Sequence, residues 1–317
     1  MDNINLENML NKDNRSNTNS ADSGMAVGKP NLSVILATRN RPEQLKTSIE
    51  SVLSQTYKDF ELLVVDGSDN EDSRKIIEQY SEKDPRIRYL RDAGTGPAAA
   101  RNLALAQANG AYITFQDDDI VMKPQKLQIL LAGFEGENAD TGVVYCSHIE
   151  VRPSGRTRQV PTIFRKDEQG YAKNLHKRLT KGCVVDSSAG LIKRECFEKV
   201  GGFDDKLKTA EDWDMYLRIA QKYKFKFIDE PAYTSYLSKN SLRFDMDKFK
   251  AANKVIRKKT ASYLKDVGLI PYLGYRLSSY YSAGLGYRLF VALTGPGYQA
   301  QPTQANPSAK SVEDNIE

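Results

Sequence analysis

The run Leu32-Ser33-Val34-Ile35-Leu36-Ala37-Thr38, followed at once by Arg39-Asn40-Arg41-Pro42, decides how this chain is read. Seven mostly aliphatic residues without polar alternation describe a buried strand. Pro42 suits the first turn of a helix that carries Leu45, Ile49, Val52 and Leu53 on one face. Residues 60–65 repeat the strand pattern, and Asp66-Gly67-Ser68 ends it. A helix through Ile76, Ile77 and Tyr80 leads to a strand at 87–90. A Gly/Ala segment and a strand at 111–115 follow, and that strand runs into Asp117-Asp118-Asp119. Short apolar strands alternating with helical periodicity predict an α/β fold, with a mostly parallel central sheet flanked by helices.

Beyond the acidic run the pattern predicts a helix near 125–134 and a strand near 143–148. Regularity then fails over residues 152–181, which hold nine lysines or arginines against Asp167 and Glu168. This segment reads equally as a solvated, mobile loop and as a substrate-facing one. Order returns at Asp186. An amphipathic helix follows over 211–223 through Trp213, Leu217, Ala220 and Tyr223, then a strand at 225–228 and a basic helix near 246–264.

The flanks differ in character. Residues 1–30 carry asparagine at 5, 8, 11, 14 and 17 with little apolar material, which describes a disordered leader without the features of a secretory signal. Residues 241–296 read as a C-terminal helical extension and 297–317 as a disordered tail. From Val267 to Ala309 the only charged residues are Arg276 and Arg288, and Leu-Gly-Tyr-Arg-Leu occurs at Leu273 and again at Leu285. A basic helix before an aromatic, leucine-rich segment fits peripheral membrane contact, and packing on the core or self-association fits it equally. The glycines, Pro271 and the two arginines argue against a spanning segment.

Composition narrows the chemistry. Forty-six basic against 41 acidic residues give a net charge of +5 on 317 residues, too mild a bias to imply nucleic acid. Two histidines, His148 and His176, exclude a three-histidine metal site and leave little for a Ser-His-Asp arrangement. Three cysteines without a Cys-x-x-Cys spacing fit reduced thiols in a cytoplasmic protein. Catalytic carboxylates are therefore the first candidates.

Three features carry that chemistry. Asp117-Asp118-Asp119 at a strand's carboxyl end would repel one another unless a cation offsets them, and hard cations prefer carboxylate oxygens. The alternative is a solvated acidic turn before Pro124. Gly94-Thr95-Gly96-Pro97-Ala98-Ala99 matches the dinucleotide fingerprint superficially, but two strand-helix units precede it. A glycine turn with small alanines packing a helix on the sheet explains it as well. In Thr209-Ala210-Glu211-Asp212-Trp213-Asp214, Thr209 suits an N-cap and Asp212 its reciprocal partner, yet one turn cannot use three carboxylates for capping. A carboxylate held partly desolvated beside Trp213 would suit a general base.

Taken together, these segments resemble the family 2 inverting glycosyltransferases of the GT-A nucleotide-sugar fold. The matching text is Ser33 to Pro42, Ser51-Val52-Leu53-Ser54-Gln55-Thr56, Val64-Val65-Asp66-Gly67-Ser68, Ala100-Arg101-Asn102 and Gly110-Ala111-Tyr112-Ile113. The acidic run, Gly201-Gly202-Phe203-Asp204 and Glu211-Asp212-Trp213-Asp214 complete it, in the family's order over about 31–240. The resemblance implies a nucleotide-sugar-binding half at 31–120 and an acceptor and catalytic half at 121–240. It puts Ala37, Thr38, Arg39, Asp66 and Arg101 at the nucleotide sugar, with Arg39 standing where many members have tyrosine.

The family's acidic run commonly reads Asp-x-Asp-Asp-apolar. Aligned on Ile120, Gln116 fills the first slot, Asp117 lies near the ribose, Asp118 becomes the direct ligand of Mn2+ or Mg2+, and Asp119 supports it. A shift of one residue exchanges these roles. The family's catalytic base falls on Asp212. The implied activity is transfer of a sugar from a nucleotide diphosphate sugar, UDP-linked, to a glycan, lipid-linked or small-molecule acceptor. The anomeric centre inverts as the metal neutralises the diphosphate and Asp212 takes the acceptor proton. The rival readings are a catalytically silent nucleotide-sugar-binding module and a dinucleotide-dependent oxidoreductase built on Gly94 and Gly96.

Overall fold

The computed structural model describes residues 30–160, 175, 179, 183, 185–237 and 246–264. The first strand, β1 (Leu32–Thr38), is buried almost throughout, as its unbroken aliphatic run requires. It is followed by α1 (Pro42–Leu53), β2 (Phe60–Asp66), α2 (Asp72–Ser81), β3 (Ile87–Arg91), α3 (Pro97–Gln107) and β4 (Tyr112–Asp117). Next come β5 (Ile120–Met122), α4 (Lys126–Ala132), β6 (Thr141–Val151) and β7 (Thr157–Val160). A 3-10 turn (Ser187–Ala189) leads into β8 (Gly190–Lys193), α5 (Arg194–Val200), α6 (Glu211–Ile219), β9 (Lys224–Tyr236) and α7 (Met246–Leu264).

Among the described residues the strands form one sheet in the order β3-β2-β1-β4-β8-β6-β9-β5, with β7 paired to β6. The half from β3 to β4 is parallel throughout. β1 leads outward to β2 and β3 on one side, while β4 lies on its other side, so the strand order reverses beside β1. In open α/β sheets the carboxyl ends at such a reversal form the ligand crevice. Here those ends are Thr38 of β1 and Asp117 of β4.

The other half is mixed. β8 enters antiparallel between β4 and β6, β6 and β9 run parallel, and β9 pairs antiparallel with β5. The sequence expects β9 only over 225–228, because Asp229-Glu230-Pro231 looks like a break. The strand continues to Tyr236, and register shifts opposite this stretch absorb the proline, which cannot donate to a ladder. The basic loop also begins more regularly than its composition suggests. Residues 157–160 form β7 against the end of β6, and Arg158 reaches Glu150 at 2.7 Å. The stretch 161–174 lies outside the described residues, as do residues 1–29 and 265–317, and with them the leader, the Leu-Gly-Tyr-Arg-Leu repeat and the tail. No described helix is long and apolar enough to cross a membrane.

Leu45, Ile49 and Val52 of α1 are fully buried, as their spacing predicts, and the small face of α3, with Ala98 and Ala104, packs on β1 and β2. α7 docks through buried Ala252 and Ile256 and through Lys259, which reaches Asp204 at 2.5 Å and Asp214 at 2.9 Å. Gly110, just before β4, is packed so tightly that a Cβ there would lie 2.5 Å from Ser33 N and 2.6 Å from Leu32 C. Those neighbours are backbone of the central strand and cannot swing aside. Gly110→Ala is expected to destabilise the fold by about 1–3 kcal/mol, the usual scale of overpacking, read as a lowered midpoint of thermal unfolding.

Candidate active site

β4 alternates its side chains between the two faces of the sheet. Gln116 is wholly buried and donates to Ser48 Oγ at 3.0 Å and to the Ile120 carbonyl at 2.7 Å, so it pegs the β4–β5 turn to α1. The three aspartates that follow are not equivalent. Asp117 is about a third exposed and is paired with Arg101 at 2.7 Å, and its other oxygen accepts from Ser187 Oγ at 3.2 Å. Asp118 is buried with both oxygens committed, Oδ1 to Arg41 Nη1 at 2.9 Å and Oδ2 to Thr38 Oγ1 at 2.9 Å. Asp119 is partly exposed, and its only cation within 4 Å among the described residues is Arg41, at 3.9 Å. Burial, then the charges of Asp117 and Asp118, push the Asp119 carboxyl up to about 7.

The second cluster lies at the start of α6. Thr209 does not cap this helix. The cap position is Ala210 in the left-handed region at φ 59°, with no side-chain cap, so the reciprocal capping expected of Thr209 and Asp212 is absent. The three acids instead take separate partners. Glu211 is buried against Arg101, and Asp214 is held by Arg218 and Lys259, both at 2.9 Å. Among the described residues Asp212 accepts the Trp213 amide, at 2.7 Å, and no described cation lies within ion-pair distance of it. Burial comes first, then Glu211 and Asp186, in raising its carboxyl to about 7. That is the range in which a carboxylate serves as a proton acceptor near neutral pH. Trp213 is a core residue whose indole donates to the Leu179 carbonyl.

Arg101 joins the two clusters. It is buried on α3, and its guanidinium forks to Asp117 on one side and Glu211 on the other. It therefore fixes the spacing between the β4 acids and the α6 acids, the position in which the sequence puts a direct ligand of the nucleotide sugar. Arg101→Met is expected to cost about 3–5 kcal/mol, since it strands two carboxylates that a buried cation had neutralised. Chemical denaturation would show this as a lowered midpoint with an unchanged slope.

A cavity of about 420 Å3 lies at the carboxyl ends of β2 and β3, lined by Gly67, Ser68, Asp69, Arg91, Asp92 and Ala93, and none of the remaining expected residues is in its lining. Asp66 is fully buried below it, accepting from the Ser68 amide at 2.9 Å and facing Arg91 at 3.3 Å. Arg39 is exposed and spans two loops, donating to the Gly94 carbonyl at 2.8 Å and facing Asp69 at 3.3 Å. The chain turns there through Asn40, which adopts the left-handed φ of 56° and exchanges hydrogen bonds with Asp69. Ala37 is partly exposed at the end of β1, and Thr38 is occupied with Asp118. Gly94 and Gly96 connect β3, the outer strand, to α3, which is not the central loop that a dinucleotide fingerprint occupies.

The fold adds Arg41, Asp186 and Ser187 to the residues foreseen. Arg41 stands in the quoted β1 stretch and signals itself only through Asp118. Asp186 and Ser187 carry no sequence signal, because the placement of β8 brings them to the crevice. Six carboxylates, Asp117, Asp118, Asp119, Asp186, Glu211 and Asp212, thus share a region with Arg41, Arg101 and Lys126. This excess of hard oxygen donors fits a divalent cation such as Mg2+ or Mn2+. Among the described residues no three His, Cys, Asp or Glu side chains are grouped so as to hold a metal ion by themselves.

Comparison with known proteins agrees with this architecture. The sequence profile of Glycosyl transferase family 2 matches residues 33–201. An uncharacterized glycosyltransferase of Methanocaldococcus jannaschii is 32% identical over 208 residues, which span 64% of this chain and 70% of that protein. The putative colanic acid biosynthesis glycosyl transferase WcaA of Escherichia coli is 32% identical over 198 residues, 61% of this chain and 67% of the other. Some relatives are much longer: a match of 30% identity to a glycosyltransferase of Rickettsia felis covers only 32% of that protein. Among solved structures, S. aureus TarS 1–349 superimposes with a TM-score of 0.58 at 20% identity, over 81% of this chain and 74% of that one. With the profile spanning the crevice from β1 to the end of α5, the chain belongs to glycosyl transferase family 2.

Proposed function

We propose that this protein transfers a sugar from a nucleotide diphosphate sugar, UDP-linked, to an acceptor hydroxyl with inversion. Residues 31–120 serve the donor in this reading and 121–240 the acceptor and the chemistry. The observation that carries it is the sorting of the α6 acids: Glu211 is paired with buried Arg101 and Asp214 with Arg218 and Lys259, while Asp212 has no ion-pair partner among the described residues. An unneutralised carboxylate at the mouth of a crevice suits removal of the acceptor proton. In support, solved TarS structures include complexes with UDP and with UDP-GlcNAc.

In this reading the cavity beside Asp66 receives the nucleoside, with Arg39 bridging its rim. Asp119 would hold the cation directly, because both oxygens of Asp118 are committed to Arg41 and Thr38. That is the one-residue shift in the alignment of the acidic run. A bound divalent cation would supply neutralisation of the diphosphate leaving group. Arg101 keeps Asp117 and Glu211 at a fixed separation, so that the donor side and the Asp212 side face one another. A panel of UDP-, GDP- and dTDP-sugars with Mn2+ tests the donor assignment by thermal shift, since a ligand that binds only the folded state raises its stability. UDP-sugars are expected to raise the unfolding midpoint most; a shift with NADH alone would contradict the reading.

A further inference from the structure

One buried charge has no place in the chemistry above. Lys126, in the first turn of α4, is completely buried, and no described carboxylate lies within 4 Å of its ammonium. Its Nζ donates to the Ser188 carbonyl at 2.7 Å and sits 4.7 Å from the centroid of the Tyr233 ring. Burial lowers its affinity for the proton, bringing the ammonium to about 8, while Cys146, Asp186 and Asp117 oppose the shift. A lone buried ammonium costs several kcal/mol of desolvation, which a methionine of similar volume would avoid. A fold selected for stability alone has no use for it.

What Lys126 holds is the turn that brings two residues to the crevice. Asp186 caps that turn, accepting the Ser188 amide at 3.0 Å, and its carbonyl accepts the Ala189 amide at 3.0 Å. Ser187 Oγ reaches Asp117 at 3.2 Å. Asp186 also lies within electrostatic reach of both Asp119 and Asp212. We propose that Lys126 is a positioning residue for the transfer step: by gripping the Ser188 carbonyl from inside the core, it sets where Asp186 and Ser187 stand between the β4 acids and Asp212. The contact is made to backbone, so the effect passes through the turn and not through a bond to substrate. Its kinetic consequence rests on the glycosyl-transfer reading given above.

The experiment is Lys126→Met, with Ser187→Ala and the double variant, in the full chain. Hydrogen exchange tests the turn without reference to activity. The Ser188 and Ala189 amides are expected to exchange at least tenfold faster in Lys126→Met, while β4 and α6 remain protected and the unfolding midpoint holds or rises. With a donor that turns over, kcat is expected to fall about 10- to 100-fold with donor KM changed less than threefold, the scale of a misplaced reacting group. Each variant should lose less in the presence of the other than alone, because both act through one turn. Unchanged exchange at Ser188 and Ala189, or losses in kcat that simply multiply, would overturn the proposal. A fall in stability with kcat intact would reduce Lys126 to a structural residue. If Asp212→Asn leaves turnover unaffected, the glycosyl-transfer reading fails, whereas the exchange result still decides the role of Lys126 in the turn.

Discussion

Asp212→Asn is expected to lower kcat by about 10^2- to 10^4-fold, the usual contribution of a general base, with little change in donor binding. The amide preserves size and can still meet the Trp213 amide through its oxygen, so the loss isolates the proton acceptor. The same carboxyl sets a pH profile. Only the ionised form accepts a proton, so kcat/KM of the wild-type enzyme should rise with pH through about 7, to which Asp212 is raised, and fall at least tenfold per unit below it. Stability runs the other way. A carboxyl whose folded value lies above its unfolded value of about 4 contributes stability at low pH, and this is lost as pH rises through 7. Asp212→Asn should therefore gain on the wild type in unfolding midpoint between pH 5 and pH 8. An activity profile flat from pH 5 to 8 would contradict the assignment.

Asp119→Asn is the second large effect. Turnover is expected to fall at least 10^2-fold and Mn2+ dependence to weaken, while the protein becomes more stable at pH 8. Removing a carboxylate that burial, Asp117 and Asp118 hold at about 7 relieves strain on the order of 1–4 kcal/mol. Loss of function with gain of stability is the signature of a site that keeps uncompensated charge for its chemistry. Asp118→Asn leaves a side-chain partner for Thr38 and should retain more activity. The reverse ranking of the two variants would return the direct ligand to Asp118, where alignment on Ile120 puts it.

The parallel half of the sheet was legible because its inner strands β1 and β2 are buried on both faces and announce themselves as aliphatic runs. β1 and β2 fall where those runs lie, and Asp66 and Asp117 end strands as expected. The mixed half was harder to read. Four residues of β8 give no periodic signal, and β9 crosses Asp229-Glu230-Pro231 only because an irregularity in its pairing with β6 makes room. Within the site, acids were readable from composition and order, but their division of labour was not. That Arg101 neutralises Glu211 and that Arg41 occupies Asp118 depends on contacts across 110 and 77 residues of chain. Lys126 illustrates the limit: in a segment reading Pro-Gln-Lys-Leu-Gln, a lysine looks solvent-facing, yet it is buried without an anionic partner among the described residues.

In the proposed reaction one crevice holds a donor, a cation and an acceptor base. The most direct measurement is release of nucleoside diphosphate from UDP-sugars by the wild type and by Asp212→Asn, with Mn2+ and with EDTA, in the presence of acceptor hydroxyls. The wild type is expected to release UDP from at least one donor in an acceptor-dependent way, to stop when EDTA is added, and to lose at least 10^2-fold of the rate in Asp212→Asn. Release that continues at the wild-type rate in Asp212→Asn, or binding of a donor with no turnover under any condition, would contradict it.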